Sequence, residues 1–349
     1  MKNLLFITQK VDKNDDVLGV YHRWAEELGK KTDKLNVICL YKGLCDLDKN
    51  IGVFSLGKEG GISRIKYIYR FYKYIFSIRK EYDSVLVHMN PVYIILGGVF
   101  WKIMGKKIFL WYNHPMGNMM AKVAILFSNK VFCTSPYSFS AKYKKTELMP
   151  VGIDTFLFRF DPSVVKKNNR ILCLGRISPI KKIEVLIEAV KILDNKNIDF
   201  ELLIVGSPSS DLDKAYLVSL KEISSELVLK NKIIFKPSVP NYKAFEIYNS
   251  TRIFINLTPT GSFDKAILEA MACEIPVLVS NKTLLSIFPE SIRNFCIFKE
   301  NDSQELSRKI LALFLLDNTG VRDIGKKSRE LVVANHSLDS LMQSLIKIV

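Results

Sequence analysis

Short apolar runs alternate along this chain with longer stretches in which apolar residues recur every three or four positions. The runs Leu4-Leu-Phe-Ile-Thr8, Asn36-Val-Ile-Cys-Leu40, Ser84-Val-Leu-Val-His88, Lys107-Ile-Phe-Leu-Trp111, Asn129-Lys-Val-Phe-Cys133 and Glu147-Leu-Met149 read as strands. Most lack the polar alternation of a half-exposed strand, which points to a sheet covered on both faces. The longer periods predict helices over residues 20–31, 63–80 and 92–104. A polar stretch from Asp154 to Asn169 interrupts the pattern, and it then resumes. Arg170-Ile-Leu-Cys-Leu174, Phe200-Glu-Leu-Leu-Ile-Val205 and Lys232-Ile-Ile-Phe235 read as strands, with helices over 182–193 and 214–227. The expectation is an α/β protein of two Rossmann-like domains: 1–155, a linker at 156–170, and 171–335. A helix over 336–349 follows, with Leu338, Leu341, Leu345 and Ile348 on one face.

The stretch TPTGSFDKAILEAMACEIPVLVS, residues 258–280, lies between two apolar runs and reads as the loop, helix and strand of a βαβ unit. Ser262 or Asp264 can cap its helix, and Glu269 is a carboxylate about one turn further in. Ligands of open α/β sheets bind at the carboxyl ends of strands. Three such ends carry suitable groups: Arg176 and Lys181 after one strand, Gly206 after the next, and the loop Thr260 to Lys265 at a helix start. Cations suit a diphosphate, helix N-terminal amides suit an anion, and a carboxylate suits the paired hydroxyls of a ribose. Together they describe a nucleotide-sugar site. Neither half carries GxGxxG after a strand or a GxxxxGK[ST] loop, which disfavours dinucleotide and P-loop chemistry.

Composition narrows the class further. The chain has 349 residues, 48 % hydrophobic and 25 % charged, with a net charge of +16. The length suits two domains, and no apolar run reaches the roughly 18 residues needed to span a bilayer. The opening MKNLLFITQ lacks a cleavage site and reads as a first strand, so the expected location is the cytoplasm. Six scattered cysteines without CxxC spacing are expected as buried thiols, and no metal site is expected. The aspartate pairs 15/16, 46/48 and 211/213 fall in polar loop-like surroundings and are expected to be solvated. On the 63–80 helix, Arg64, Lys66, Arg70, Lys73 and Lys80 sit among aromatic residues. Such a helix can be a solvated basic face or an interfacial helix on anionic lipid at the inner membrane face. Nucleic-acid binding has charge behind it but no motif.

The segment GRISPIKK resembles the GR-x-x-x-x-KG segment of family-4 glycosyltransferases, and SFDKAILEAMACEIPVLVS resembles the end of their E-x₇-E motif and its EAMA-x-G-x-PV continuation. Gly152-Ile-Asp154 with Phe158 matches their GID-x-x-x-F pattern. The resemblance implies a GT-B fold: two facing Rossmann-like domains with a C-terminal helix crossing back to the first. It also implies a retaining transferase that moves a sugar from a UDP- or GDP-sugar to a glycan or lipid-linked glycan, in surface polysaccharide or glycoconjugate synthesis, without a cofactor. By the same resemblance Arg176 and Lys181 bind the donor diphosphate and Glu269 the ribose. Gly19, Gly206, Ser262, Phe263, Ala266 and Ile267 complete the donor contacts. His114 is placed on the acceptor side and Asp264 near the reacting centre as candidate catalytic groups; His88 is a weaker candidate. Three departures stand out: Gly261 where the motif's first Glu falls, and Lys182 and Glu274 where glycine is usual. Alternatives on the same fold are a nucleotide-sugar epimerase, a glycan phosphorylase, or an inactive glycan-binding partner, the last motivated by Gly261.

Overall fold

A computed structural model describes residues 3–261 and 264–349; Ser262 and Phe263 therefore lie outside the described residues. The chain divides into two compact units, 1–152 with 338–349, and 153–337. Residues 153–170, which include the expected linker, group with the second unit. Phe158 within this segment is buried, and its ring meets Tyr248 edge-on at 5.9 Å.

The first unit carries a seven-stranded sheet built from β1 (Asn3–Val11), β2 (Lys34–Lys42), β3 (Ile51–Ser55), β4 (Ser84–His88), β5 (Lys107–Trp111), β6 (Lys130–Cys133) and β7 (Thr146–Leu148). Their order is β3-β2-β1-β4-β5-β6-β7, and every pairing is parallel. Its helices are α1 (Val20–Lys30), α2 (Arg64–Ser77), α3 (Val92–Ile103) and α4 (Met119–Phe127). The alternation of side chains along each strand sorts the core into two layers. Leu4 and Phe6 of β1 pack with Trp24 and Leu28 of α1 and with Leu341 and Leu345 near the C-terminus. Leu5 and Ile7 of the same strand pack with Phe71 of α2, Trp101 of α3 and Ala124 of α4. Hence α2, α3 and α4 share one face of the sheet, and α1 shares the other with residues 338–349.

The second unit carries β8 (Arg170–Leu174), β9 (Glu201–Val205), β10 (Ile233–Lys236), β11 (Ile253–Asn256) and β12 (Val277–Val279), in the parallel order β10-β9-β8-β11-β12. Its helices are α5 (Ile183–Asn195), α6 (Asp211–Ile223), α7 (Ser225–Leu229), α8 (Ala244–Asn249), α9 (Lys265–Ala272), α10 (Glu290–Cys296), α11 (Ser303–Leu315) and α12 (Asn318–His336). A last helix, α13 (Leu338–Ile348), belongs to the first unit. Several helices start where a side chain accepts from a backbone amide of the first turn: Ser210 for α6, Asp302 for α11 and Asp317 for α12.

The pair Asp211 and Asp213 is not in a solvated loop. Both residues occupy the first turn of α6, and Asp213 is buried, accepting from the Ser209 amide and hydroxyl at 3.2 and 2.8 Å. All six cysteines are free thiols, and Cys39, Cys133, Cys273 and Cys296 are buried.

Candidate active site

In each sheet the strand order reverses at one point, between β1 and β4 in the first and between β8 and β11 in the second. The loops leaving neighbouring strands there diverge to opposite faces and open a crevice. In the second unit the loop after β8 carries Arg176 and Lys181, and the loop after β11 carries Thr258 and Asp264. The crevice brings them together. The Lys181 ammonium bonds to the Asp264 carboxylate and to the Thr258 hydroxyl at 3.1 Å. Asn256, the last residue of β11, donates its side-chain amide to the same Asp264 oxygen at 2.8 Å. The other Asp264 oxygen caps α9 by accepting from the Ala266 amide at 3.2 Å. Burial alone would push the Asp264 carboxyl up, but the Lys181 charge and these hydrogen bonds outweigh it and hold the carboxyl below its usual range.

Glu269, one turn along α9, is in a different situation. It is 5 % exposed, and both of its oxygens have donors: the Asn241 amide at 2.9 Å and the Tyr248 hydroxyl at 3.1 Å. Burial pushes its carboxyl up, opposed by those two bonds and by the nearby Lys265 charge. The same burial pulls the Lys265 ammonium down to about 8, against the attraction of Glu269. A carboxylate accepts about four hydrogen bonds, so Glu269 retains acceptor capacity beside the two bonds made. Ala266 and Ile267 are buried within the first turn of α9, the Ile267 amide bonded to the Asp264 carbonyl at 3.2 Å.

Arg176 is exposed; among the described residues its guanidinium makes a long contact, 3.5 Å, to the Ser209 hydroxyl and acts electrostatically on Asp213 beyond it. Gly206 has a structural reason that sequence did not supply: a Cβ there would stand 2.0 Å from the Gly175 carbonyl oxygen. The close approach is thus to the neighbouring strand-end loop, and any residue but glycine would force β8 and β9 apart at this rim. The expected anion-binding loop is partly committed as well, since the Gly261 amide donates to the Thr283 hydroxyl at 3.0 Å.

The three departures from the motif acquire meaning from the backbone. Lys182 has φ 48° and Glu274 has φ 60°, both in the left-handed region where glycine is favoured. The fold therefore keeps the glycine-like backbone and accepts a strain of roughly 1–2 kcal/mol at each residue. Gly261 has φ 114°, a conformation a glutamate would adopt only under strain.

In the first unit, His114 follows β5 and lines a cavity of about 500 Å³ with Asn90, Tyr112, Met116, Asn118 and Met120. Its Nδ1 lies 2.8 Å from the Met116 carbonyl oxygen. The Met116 amide nitrogen also lies 3.1 Å from Nδ1, where it would donate, so the two contacts hold the ring in place without fixing which nitrogen carries the proton. His88, the weaker candidate, is buried among the rings of Phe6, Tyr21, Trp24 and Trp111 and belongs to the core. Gly19 opens α1 where a Cβ would meet the Asp15 carbonyl oxygen at 2.5 Å. The loop before it is fastened by Asp15, which accepts from the Leu18 and Val17 amides and from Lys10.

Sequence reasoning missed Asn241 and Tyr248, which lie 28 and 21 residues before the carboxylate they hold. It also missed Arg329, whose guanidinium donates to the carbonyls of Thr155, Phe158 and Ala272 and so ties the 152–158 motif to the end of α9. Phe158 in turn packs on Tyr248. The conspicuous GID-x-x-x-F pattern is thereby connected, through Tyr248, to the position of Glu269.

Comparison with known proteins bears on the family and the fold. WcaL of Escherichia coli, provisionally named as a colanic acid biosynthesis glycosyltransferase, is 25 % identical over 248 residues, covering 66 % of this chain and 57 % of that protein. The capsular polysaccharide biosynthesis glycosyltransferase CapM of Staphylococcus aureus is 25 % identical over 175 residues, covering 49 % of this chain and 43 % of its own. The aligned part thus spans less than two thirds of either relative. The crystal structure of Anabaena HepE in complex with UDP and glucose superposes with a TM-score of 0.77 at 16 % identity, covering 99 % of both chains. With the two parallel sheets, that likeness identifies the fold as GT-B. The sequence profile described as glycosyl transferases group 1 matches residues 154–331, which contain every second-unit group discussed above, and to that family this chain belongs.

Proposed function

We propose that the chain is a retaining glycosyltransferase that moves a hexose from a nucleoside diphosphate-sugar to a glycan, lipid-linked in the favoured case, during surface polysaccharide synthesis. The observation that carries the reading is the crevice between β8 and β11, where Arg176 and Lys181 stand at the rim of the family-matched segment. In the transfer, a bond forms from an acceptor oxygen to the anomeric carbon while the bond from that carbon to the diphosphate breaks. Negative charge grows on the departing diphosphate, and Arg176 and Lys181 are the groups to stabilise it. Lys181 meets it by exchanging Asp264 for phosphate oxygens; Arg176 has little to give up. Glu269, oriented by Asn241 and Tyr248, accepts from the ribose hydroxyls. His114 takes the acceptor proton. The UDP and the UDP-glucose held in crystal structures of HepE favour a UDP-sugar for the first trial.

The test is thermal stabilisation by a panel of UDP-, GDP- and other nucleotide sugars, followed by transfer assays with the stabilising donor. A donor that raises the midpoint and is consumed only with an acceptor supports the reading; a panel without effect refutes it. A second reading is favoured by Gly261, where the motif's first carboxylate is absent: a catalytically inactive glycan-binding partner. Glycan binding with neither donor binding nor transfer would select it.

A further inference from the structure

The helices α2, α3 and α4, which cover one face of the first sheet, are apolar on the outside as well as the inside. Ile65 and Tyr69 of α2, Val99 and Ile103 of α3, and Met119 and Leu126 of α4 all point to solvent, with Ile65, Ile103 and Leu126 more than 70 % exposed. The three outer stripes adjoin. The Phe100 ring stands 5.3 Å from Phe76 and 5.7 Å from Tyr72, and the Tyr72 hydroxyl donates to the Leu96 carbonyl at 3.1 Å. On the other side, the Lys102 ammonium lies 4.8 Å above the Phe127 ring of α4.

The charges on this face have one sign. Between residues 64 and 127 there are ten Lys and Arg but only two carboxylates, Glu81 and Asp83, and neither is on a helix. Glu81 is moreover paired with Lys34 at 2.7 Å. The opposite face of the same sheet is built in the usual way. There Arg23 pairs with Glu26 and Glu27, Lys30 with Glu27, and Lys31 with Asp339. A contiguous apolar surface with aromatic residues, ringed by cations and with carboxylates only at its margin, Glu59 near Arg70 and Glu81 beside Lys34, matches an anionic lipid surface in both its polarity and its charge. A second protein copy would bring the same cations and would repel.

We infer that the α2–α3–α4 face is a docking surface for an anionic lipid bilayer, held by partial insertion of the outer apolar residues and by its Lys and Arg rim. Among the described residues no helix is long and apolar enough to cross a membrane. Val92 of α3 and Met120 of α4 line the His114 cavity and are also exposed on this face. The cavity therefore opens beside the bilayer, the position a lipid-linked acceptor requires; this last step rests on the acceptor reading above, and the docking itself does not.

The experiment is co-sedimentation of the full chain with vesicles of phosphatidylcholine alone or with one third phosphatidylglycerol, at low and high salt. Wild type should bind the anionic vesicles, at least tenfold better than the neutral ones, and should lose most binding as salt rises. Ile103→Asp with Leu126→Asp should lower binding to anionic vesicles at least tenfold at low salt, as should Lys66→Glu with Lys73→Glu. Arg23→Glu on the opposite face should bind like wild type. Melting temperature and nucleotide-sugar affinity, measured on each variant, report whether the protein has stayed folded. Wild type that ignores anionic vesicles, or face variants that bind as well as wild type, overturns the inference while leaving donor binding measurable. So does a wild-type dimer that the Asp variants dissociate without any vesicle binding.

Discussion

At the rim of the second sheet Lys181, Asp264, Asn256 and Thr258 already satisfy one another. At the rim of the first, the groups around His114 line an open pocket of about 500 Å³ that, among the described residues, holds no ion pair. A ligand entering the second rim must exchange one ionic partner for another, so its affinity is a difference between two strong interactions. A ligand entering the first meets a lining without Lys, Arg, Asp or Glu, and its affinity depends on shape and neutral hydrogen bonds. One rim suits a diphosphate, which can outbid a single carboxylate; the other suits an uncharged polyol.

The largest effect that would break this contrast is on turnover. His114→Ala should lower kcat by about 10²-fold or more, as expected for loss of a general base, with donor affinity unchanged by calorimetry. A wild-type rate would remove the base from the first rim. Next, Lys181→Ala should weaken nucleoside diphosphate binding by roughly 1.5–3 kcal/mol, whereas His114→Ala should not. Equal losses in the two variants would mean that the rims do not divide the substrates as argued.

A smaller effect separates the two carboxylates of the second rim. The Asp264 carboxyl is held below its unfolded value, so its contribution to stability is present above about pH 4 and is lost as pH falls through the lowered folded value. The Glu269 carboxyl is raised above its unfolded value, so its contribution is present at low pH and is lost as pH rises through the raised folded value. Asp264→Asn should therefore destabilise most near neutral pH, with the difference from wild type closing on acidification. Glu269→Gln should change in the opposite sense, gaining on wild type as pH rises. Denaturant titrations across pH 3 to 7 decide; parallel curves would mean the two carboxylates share one environment. The same Glu269→Gln variant should lose about 1 kcal/mol of donor affinity, and less for an analogue lacking ribose hydroxyls. The smallest effect concerns the strained backbone beyond α9. Glu274→Gly should release roughly 1 kcal/mol of left-handed strain and raise the melting midpoint by about 2–4 °C.

Much of this architecture is legible in the sequence because most strands are continuous apolar runs. Ser84–His88, Lys107–Trp111 and Arg170–Leu174 begin and end where those runs do. The edge strand β3 was not visible: it has five residues, includes Gly52, and only Ile51 is buried. Helices α11 and α12 do carry a helical period, at Leu306, Ile310 and Leu313 and again at Val321, Ile324 and Val332, but polar neighbours dilute it. For the site, GRISPIKK and the helix after Thr258 locate the cations and the carboxylates. Their pairing depends on strand order, which puts β11 beside β8 although more than 70 residues separate them. The donors to Glu269 come from α8 and the turn before it, whose sequence shows no sign of facing a carboxylate.

The path of the chain also orders its synthesis. Leu341 and Leu345 of α13 are core residues of the first unit, and Gly152 lies so close to α13 that a Cβ would stand 2.4 Å from Leu341. Residues 153–337 are therefore made after most of the first unit but before the helix that finishes it. While the ribosome works through them, the apolar layer around Trp24 and Trp111 has no lid. The second unit can fold first, on a chain whose earlier half is still waiting for its last helix, and a stalled or truncated product ending near Ser337 would expose that layer to chaperones and proteases.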